Sequence, residues 1–324
     1  MRAWWLNTDD TQARTELRET PVPEPGPRQL LVRVRAAGLN RGEFIIGGLT
    51  KAGSAKPLGI EGAGEVVKAG AEAGRFAAGA RVMGRFAGAM ADYVLANEAD
   101  AMPVPPGLSW EEAGALPTTY LVAHDMLVLQ GGLRAGGWLL VTGVSSGVGV
   151  ASLQIAKALG AKVIGTSGSR EKLARLQAMG LDVAICTRAP DFHAQVMDAT
   201  GGAGVNLVVN NVGGTVFAEC VRCLAFEGRL ATVGYVDGVL KSELDLQALH
   251  AKRLVLFGVS QKLTSPAQKA EGVHRFAAEM LPLVAQGQLR PLVERVFSFE
   301  ELPAARALME ANAHVGKIVI TGGA

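Results

Sequence analysis

The stretch 136–156 limits this chain more than any other: it carries no charged residue, and Val141-Thr142-Gly143-Val144-Ser145-Ser146-Gly147-Val148-Gly149 lies at its centre. An uncharged run of this length is long enough to cross a bilayer. Clustered glycines and hydroxyls break it, however, where a membrane helix would be continuous. The run therefore reads as two buried pieces. Trp138-Leu139-Leu140-Val141 is a short apolar strand. Val148, Ala151, Ser152, Ile155 and Leu159 then recur at helical spacing until Gly160 stops them. In a strand, glycine turn and helix in that order, backbone N–H groups at the helix start face outward, and missing Cβ atoms let a pyrophosphate approach. Gly143-Val144-Ser145-Ser146-Gly147 also fits the G-x-S-x-G elbow of a serine hydrolase. The turn alone leaves both readings open.

The 324 residues suit two domains, and 49% hydrophobic against 19% charged residues describe a soluble globular chain with a substantial core. A net charge of +2, with the cations spread rather than clustered, gives no case for nucleic acid. The N-terminus lacks a signal-like apolar segment, so the expected location is the cytoplasm. Three cysteines agree with that. Cys220 and Cys223 form a C-x-x-C, yet Phe217, Cys220, Val221 and Leu224 make one apolar helical stripe, so the thiols read as core. No second pair completes a zinc site.

Residues 1–120 read as β-rich. A proline-spaced lead-in precedes strands at 29–36, 59–67, 80–84 and 90–95, and Ser109 caps a helix starting near Trp110. From 120 to 260 strands (162–166, 183–186, 206–210, 229–233, 255–259) alternate with helices (148–159, 170–179, 192–199, 217–224), the rhythm of a doubly wound parallel sheet. The tail carries helices near 270–286 and 302–311 and a last strand from Lys317. That strand matches the first domain, so the middle domain reads as an insertion.

The strand after the glycine turn ends at Ser167, eighteen residues past Gly149. A site for NADH usually places a carboxylate there. Ser167, with Arg170 and Lys172 close behind, suits a 2′-phosphate instead, so the expected cofactor is NADPH. The hydrolase reading weakens, because the elbow has no His-Gly-Gly-Gly run upstream.

Ala36-Ala37-Gly38-Leu39-Asn40, Gly59-Ile60-Glu61-Gly62-Ala63-Gly64, 103–120 and Gly213-Gly214 through Gly228-Arg229 to Gly234 together resemble the medium-chain dehydrogenase/reductases, and within them the zinc-independent quinone oxidoreductase branch. The resemblance covers nearly the whole chain. It implies an α/β fold in which a doubly wound parallel Rossmann sheet (122–261) is inserted into a β-rich GroES-like catalytic domain (1–121 and 262–324). Zinc members of that family carry cysteine where Asn40 stands, histidine at Ile60 and cysteine near Thr118; an amide, an aliphatic chain and a hydroxyl do not hold zinc. Without a Lewis acid, reduction of a quinone or an α,β-unsaturated carbonyl is the expected reaction.

The expected site follows. Ser145, Ser146, Gly147 and Val148 take the pyrophosphate, and Ser167, Arg170 and Lys172 the adenosine phosphate. Asn211 takes the nicotinamide ribose. Gly234, Tyr235, Phe257 and Val259 lie by the nicotinamide. Lys317 is a candidate for a cofactor phosphate, with a surface position as the plainer reading. Asn40 is the expected donor to the acceptor oxygen, and Tyr120 orients the acceptor or protonates it. Relatives often have a tyrosine where this chain offers Phe44 and Ile45, which keeps open an NADPH-binding redox sensor or structural protein without turnover. Glu61 is expected to be structural. Residues 254–259 resemble the edge strand by which family members form homodimers.

Overall fold

The computed structural model describes residues 1–9, 12–45 and 53–323. The chain divides into two compact units, Met1–Thr119 with Thr264–Ala324, and Tyr120–Leu263.

In the first unit β1 (Arg2–Thr8), β2 (Ala13–Glu19) and a short β4 (Ala55–Pro57) make one small sheet, ordered β2-β1-β4. A larger one is built on β3 (Gln29–Gly38), β5 (Gly62–Ala69), β6 (Arg81–Gly84), β7 (Tyr93–Asn97) and β8 (Ala101–Pro103). Two strands from the far end of the chain, β15 (Val293–Phe297) and β16 (Lys317–Thr321), extend it to the order β15-β16-β3-β5-β6-β8, with β7 on the other part of β3. The alternation read in β3 has a clear physical result. Leu30, Val32 and Val34 enter the core beside Val66, Phe86, Ile318 and Ile320, while Arg33 and Arg35 both reach Glu65, at 2.6 and 3.0 Å. The expected strand 59–67 begins later, at Gly62. Gly59 has a φ of +105°, and a Cβ there would sit 2.5 Å from the Met90 nitrogen, so the chain turns rather than extends.

α1 (Trp110–Ala115) starts in a capping box, with the Ser109 hydroxyl accepting from Glu112 N and the Glu112 carboxylate from Ser109 N. α2 (Pro117–His124) follows, and the boundary between the units falls within it.

The second unit is a six-stranded parallel sheet, β9 (Trp138–Thr142), β10 (Lys162–Ser167), β11 (Val183–Cys186), β12 (Val205–Asn210), β13 (Leu224–Thr232) and β14 (Val255–Gly258). Its order is β11-β10-β9-β12-β13-β14. That is the doubly wound order whose switch point lies at β9, the strand before the glycine turn. The helices α3 (Gly147–Ala158), α4 (Arg170–Gln177), α5 (His193–Ala199), α6 (Gly214–Arg222) and α7 (Leu246–Ala251) alternate with the strands. Cys220 and Cys223 are buried in the core with Leu140, Ile164 and Leu230. Burial pushes both thiols up, Cys223 to about 12. The uncharged run 136–156 is thus one buried strand and one buried helix, and no helix among the described residues is long and apolar enough to cross a membrane.

Back in the first unit, the single helix expected at 270–286 is two, α8 (Pro266–Glu279) and α9 (Leu281–Ala285). Pro282 lacks an N–H and cannot continue the ladder of the first, so it begins a new turn. α10 (Leu302–Glu310) packs against β16.

Candidate functional site

The glycine turn of the second unit is held tightly to its neighbour strand. Val144 N donates to the Thr166 carbonyl at 3.0 Å, and Gly143 N to Thr166 Oγ1 at 3.3 Å. The buried Val144 fills space that two glycines leave open. A Cβ on Gly149 would meet the Val144 carbonyl oxygen at 2.5 Å, and one on Gly165 would meet Val144 Cγ1 at 2.6 Å. Ser146 is the N-cap of α3, its hydroxyl accepting from Gly149 N at 3.0 Å. The N–H groups of Gly147 and Val148, in the first turn of α3, precede any intrahelical acceptor. Ser145 stands partly exposed beside it.

Ser167 closes β10, buried, with Ser169 N donating to its hydroxyl at 3.4 Å. Arg170 is exposed and Lys172 half-buried on the first turn of α4, capped by Ser169. Sequence reasoning missed a third cation. A Cβ on Gly168 would run into the Arg188 guanidinium, so this exposed arginine from beyond β11 lies directly across the backbone next to Ser167. Its only signal is register: Ser167 pairs with Cys186, two residues before Arg188. The group is cationic, with a hydroxyl where a carboxylate would repel a phosphate.

At the carboxyl ends of β9 and β12, Thr142, Asn210 and Asn211 form one hydrogen-bonded knot. Asn210 Oδ1 accepts from Thr142 Oγ1, Val212 N and Gly213 N at 3.0–3.1 Å. Asn211 Nδ2 donates to the Thr142 carbonyl at 2.9 Å, which fixes its amide at the sheet edge. Gly234 follows β13, its N–H on the Asn210 carbonyl at 3.4 Å, and Tyr235 is exposed. Phe257 is half-buried in β14 opposite Ala231, and Val259 is buried just beyond the strand.

In the first unit a second polar cluster is built on Glu61, which is fully buried. β16 runs antiparallel to β3 with Val319 opposite Gly38, so Lys317 arrives beside Leu39 and Asn40. Its ammonium donates to the Leu39 carbonyl at 2.9 Å, to Asn40 Oδ1 at 2.7 Å and to Glu61 Oε1 at 2.7 Å. The Asn40 amide in turn donates to Glu61 Oε1 at 2.9 Å and to the Gly38 carbonyl at 3.2 Å. Glu61 Oε2 accepts from Thr118 N at 2.6 Å. Glu43, buried on the short 3-10 helix Arg41–Phe44, faces the same amide at 3.4 Å and accepts from Gly59 N at 2.9 Å. Burial pushes the Glu43 carboxyl up to about 7, and the Glu61 charge adds to this; Lys317, the Gly59 N–H and the Asn40 amide pull the other way.

Three expectations change here. Lys317 is neither on the surface nor directed at a phosphate: it is 5% exposed, and all three of its donors are used inside the protein. Asn40 is half-buried, and its two amide hydrogens are already committed, so it is a buttress rather than a donor to an acceptor. Tyr120 is 2% exposed, and its hydroxyl donates to Gln154 Oε1 of α3 at 2.8 Å, so it braces α3 within the second unit. Phe44 lies under the Arg306 guanidinium, 4.7 Å from its ring centre, and Ile45 is half-buried. The donor set does not suit zinc either. Asn40 Oδ1 and the Glu61 carboxylate are taken by Lys317, Ile60 offers no lone pair, and no group of three metal-binding side chains occurs among the described residues.

Comparison with known proteins agrees with this architecture. Residues 26–106 match the alcohol dehydrogenase GroES-like domain and 147–279 the zinc-binding dehydrogenase domain. Among solved structures, an NAD-dependent alcohol dehydrogenase is 31% identical, with a TM-score of 0.88 and 99% of each chain covered. A mycobacterial protein solved with NADPH is 27% identical, with a TM-score of 0.89, covering 99% of this chain and 100% of its own. A quinone oxidoreductase from Pseudomonas syringae is 26% identical, with a TM-score of 0.85 and 99% of each chain covered. Among curated relatives, the spectinabilin polyketide synthase protein NorB of Streptomyces orinoci is 32% identical over 308 residues, 93% of this chain. The chain spans only 14% of that relative's length. By domain matches, fold and identity across its length, the chain belongs to the medium-chain dehydrogenase/reductase superfamily of oxidoreductases.

Proposed function

We propose that this protein is a zinc-independent, NADPH-dependent reductase of quinones or α,β-unsaturated carbonyl compounds. The observation that carries the reading is the cluster on Glu61. Its carboxylate is already neutralised by Lys317, and Asn40, Ile60 and Thr118 surround it without a metal-binding set. A site without a Lewis acid suits an acceptor that is electrophilic before it binds, which a quinone or enone is and a simple ketone is not.

In this reading NADPH binds to the second unit. The Gly147 and Val148 N–H groups, with Ser145 alongside, take the pyrophosphate. Ser167, Arg170, Lys172 and Arg188 take the adenosine 2′-phosphate. Asn211 takes the nicotinamide ribose, and Gly234, Tyr235, Phe257 and Val259 the nicotinamide end. When bound, the cofactor supplies a hydride. The chain's own work is to fix that cofactor and to orient the acceptor. The structure solved with NADPH supports this choice, and the NAD-dependent relative is why it needs a test. β14 is the outer strand of its sheet and leaves Val255 exposed, which suits a homodimer in a soluble, cytoplasmic enzyme.

The deciding experiment is steady-state oxidation of NADPH and of NADH with a panel of quinones, enones, aldehydes and simple ketones. Turnover with the first two classes and NADPH is the expected result. Tight NADPH binding with no turnover on any acceptor would replace this reading with that of a sensor. Labelling of Ser145 by a fluorophosphonate would replace it with a hydrolase.

A further inference from the structure

The glycine turn lies at the carboxyl ends of the parallel sheet. The amino ends of the same sheet carry a groove of about 830 Å³, a volume within the range of small-molecule sites. The groove belongs to the second unit alone. Loop 131–137 before β9, the start of β12, the early part of β13 and the start of β14 line it. The guanidiniums of Arg134, Arg229 and Arg253 face one carboxylate there, Glu227. This local excess equals the net charge of the whole chain, +2. Arg134 is exposed and has no side-chain hydrogen bond or ion pair among the described residues. Arg229 is half-buried and spends Nη1 on the Gln130 carbonyl at 2.9 Å, which leaves the rest of its fork over. Arg253 meets Glu227 at 3.2 Å in an exposed pair, which holds it weakly. Asn206 Oδ1 accepts from Trp138 N at 2.8 Å, so its amide hydrogens remain to donate.

Cations at this end of a sheet often answer the carbonyl ends of the helices. Other residues already do so here. Lys157 and Arg222 stand in the last turns of α3 and α6, and Lys252 Nζ donates to the Arg222 and Leu224 carbonyls at 3.3 and 2.8 Å. The groove's arginines are surplus to that need. Its backbone is also unusual. Of the three non-glycine residues with left-handed backbone among those described, Glu227 (φ +56°) and Arg253 (φ +52°) both line it. Such backbone works against the fold for long side chains, and it collects at functional sites. Phe226 adds a ring 62% exposed, 6.0 Å from Arg253 Cζ. A Cβ on Gly132 or Gly136 would meet nothing within 4 Å, so the loop leaves this space open.

We propose that the groove binds a small aromatic phosphate monoester, its phosphate on Arg134, Arg229 and the Asn206 amide and its flat body on Phe226 and Arg253. Guanidinium forks match phosphate oxygens, and an exposed ring gives a planar body a face to stack on. A phosphate monoester carries about two negative charges at neutral pH, which answers the groove's excess. No cofactor residue takes part, so the site does not rest on the reductase reading.

The test is calorimetric titration of the full chain with phenyl phosphate and with inorganic phosphate, each with and without saturating NADPH. One site per chain is expected, retained under NADPH, with phenyl phosphate bound about tenfold more tightly than inorganic phosphate. Arg134→Gln breaks no internal bond and should weaken phenyl phosphate about tenfold, the loss of one charge-assisted bond. Phe226→Ala should bring phenyl phosphate down to the affinity of inorganic phosphate and leave the latter within about twofold. No saturable binding of phenyl phosphate up to about 10 mM overturns the proposal. So does an unchanged affinity in the double variant Arg134→Gln/Arg253→Gln. Binding that disappears under NADPH places the ligand at the cofactor end and equally overturns it. Equal affinity for the two probes, unmoved by Phe226→Ala, leaves plain charge attraction in place of an aromatic phosphate site.

Discussion

Lys317→Met removes the cation on which the Glu61 cluster depends, and its cost follows from the geometry. Glu61 has no exposure and Lys317 only 5%, so neither charge is hydrated in the fold, and they meet at 2.7 Å. Removing one partner of a buried pair costs about 3–5 kcal/mol, because the other charge stays behind in a low dielectric. The bonds to the Leu39 carbonyl and Asn40 Oδ1 go with it, each net about 1 kcal/mol and partly counted already in that range. For a domain of 150–250 residues each kcal/mol moves Tm by about 2–4 °C, so the expected loss is about 6–20 °C. Urea unfolding followed by tryptophan fluorescence is the assay, since Trp4, Trp5 and Trp110 lie in the unit that holds the cluster and only Trp138 lies outside it. The double variant Lys317→Met/Glu61→Gln removes both charges and should recover most of the loss, with a coupling of at least about 2 kcal/mol. A loss under about 1 kcal/mol for Lys317→Met, or a double variant equal to the sum of the singles, would refute the buried ion pair.

Two further outcomes are expected. Glu43 ionises at about 7 in the fold against an ordinary 4.5, so the folded protein holds a proton that the unfolded chain has released. The stability this contributes is fully present below about pH 4.5 and is lost as pH rises through about 7, with a slope of at most about 1.4 kcal/mol per pH unit. The urea midpoint should fall across that window and flatten in Glu43→Gln; an identical slope in the variant sinks the assignment. Arg188→Ala should raise KM for NADPH about tenfold and leave KM for NADH alone, as expected for one charge-assisted bond of about 1.5 kcal/mol to a phosphate. Combined with Ser167→Asp and Arg170→Ala it should reverse the preference, and an unchanged NADPH/NADH ratio would remove the phosphate site from β10.

The sequence made the second unit legible because its information is local. Strand, glycine turn and capped helix follow one another within 138–158, and burial on both faces leaves apolar runs that cannot be mistaken for surface. The first unit is read less well, since its site is assembled by register. Nothing near Lys317 in the chain signals Glu61. The two meet because β16 returns antiparallel to β3, which brings residue 317 beside residue 40. The same cause hid Arg188, whose side chain lies against Gly168, the residue after Ser167, across a parallel pair of strands. Residue type also misleads where the partners are distant. An asparagine at a turn and a lysine before a final strand suggest a free donor and a solvated cation, and only the buried carboxylate between them shows that both are committed.

Tyr120 carries the same lesson to a test. As a phenol close to the expected reaction it was the natural candidate for the proton source, a role that needs a hydroxyl within reach of the acceptor. The structure gives it another task. Its ring is buried, and its hydroxyl donates to Gln154 Oε1, about two turns into the helix that begins at the glycine turn. Tyr120→Phe leaves the ring in place and deprives Gln154 of that donor, so the expected effect is on stability, about 1–3 kcal/mol. Turnover with NADPH and an enone should stay within about threefold of the parent, since a general acid would contribute about 100-fold or more. The loss should also appear as weaker NADPH binding if α3 shifts, a change in KM for the cofactor rather than in kcat at saturation. A hundredfold fall in kcat with an unchanged Tm would reinstate Tyr120 as the proton donor. It would also mean that its bond to Gln154 is exchanged for one to the acceptor during the reaction.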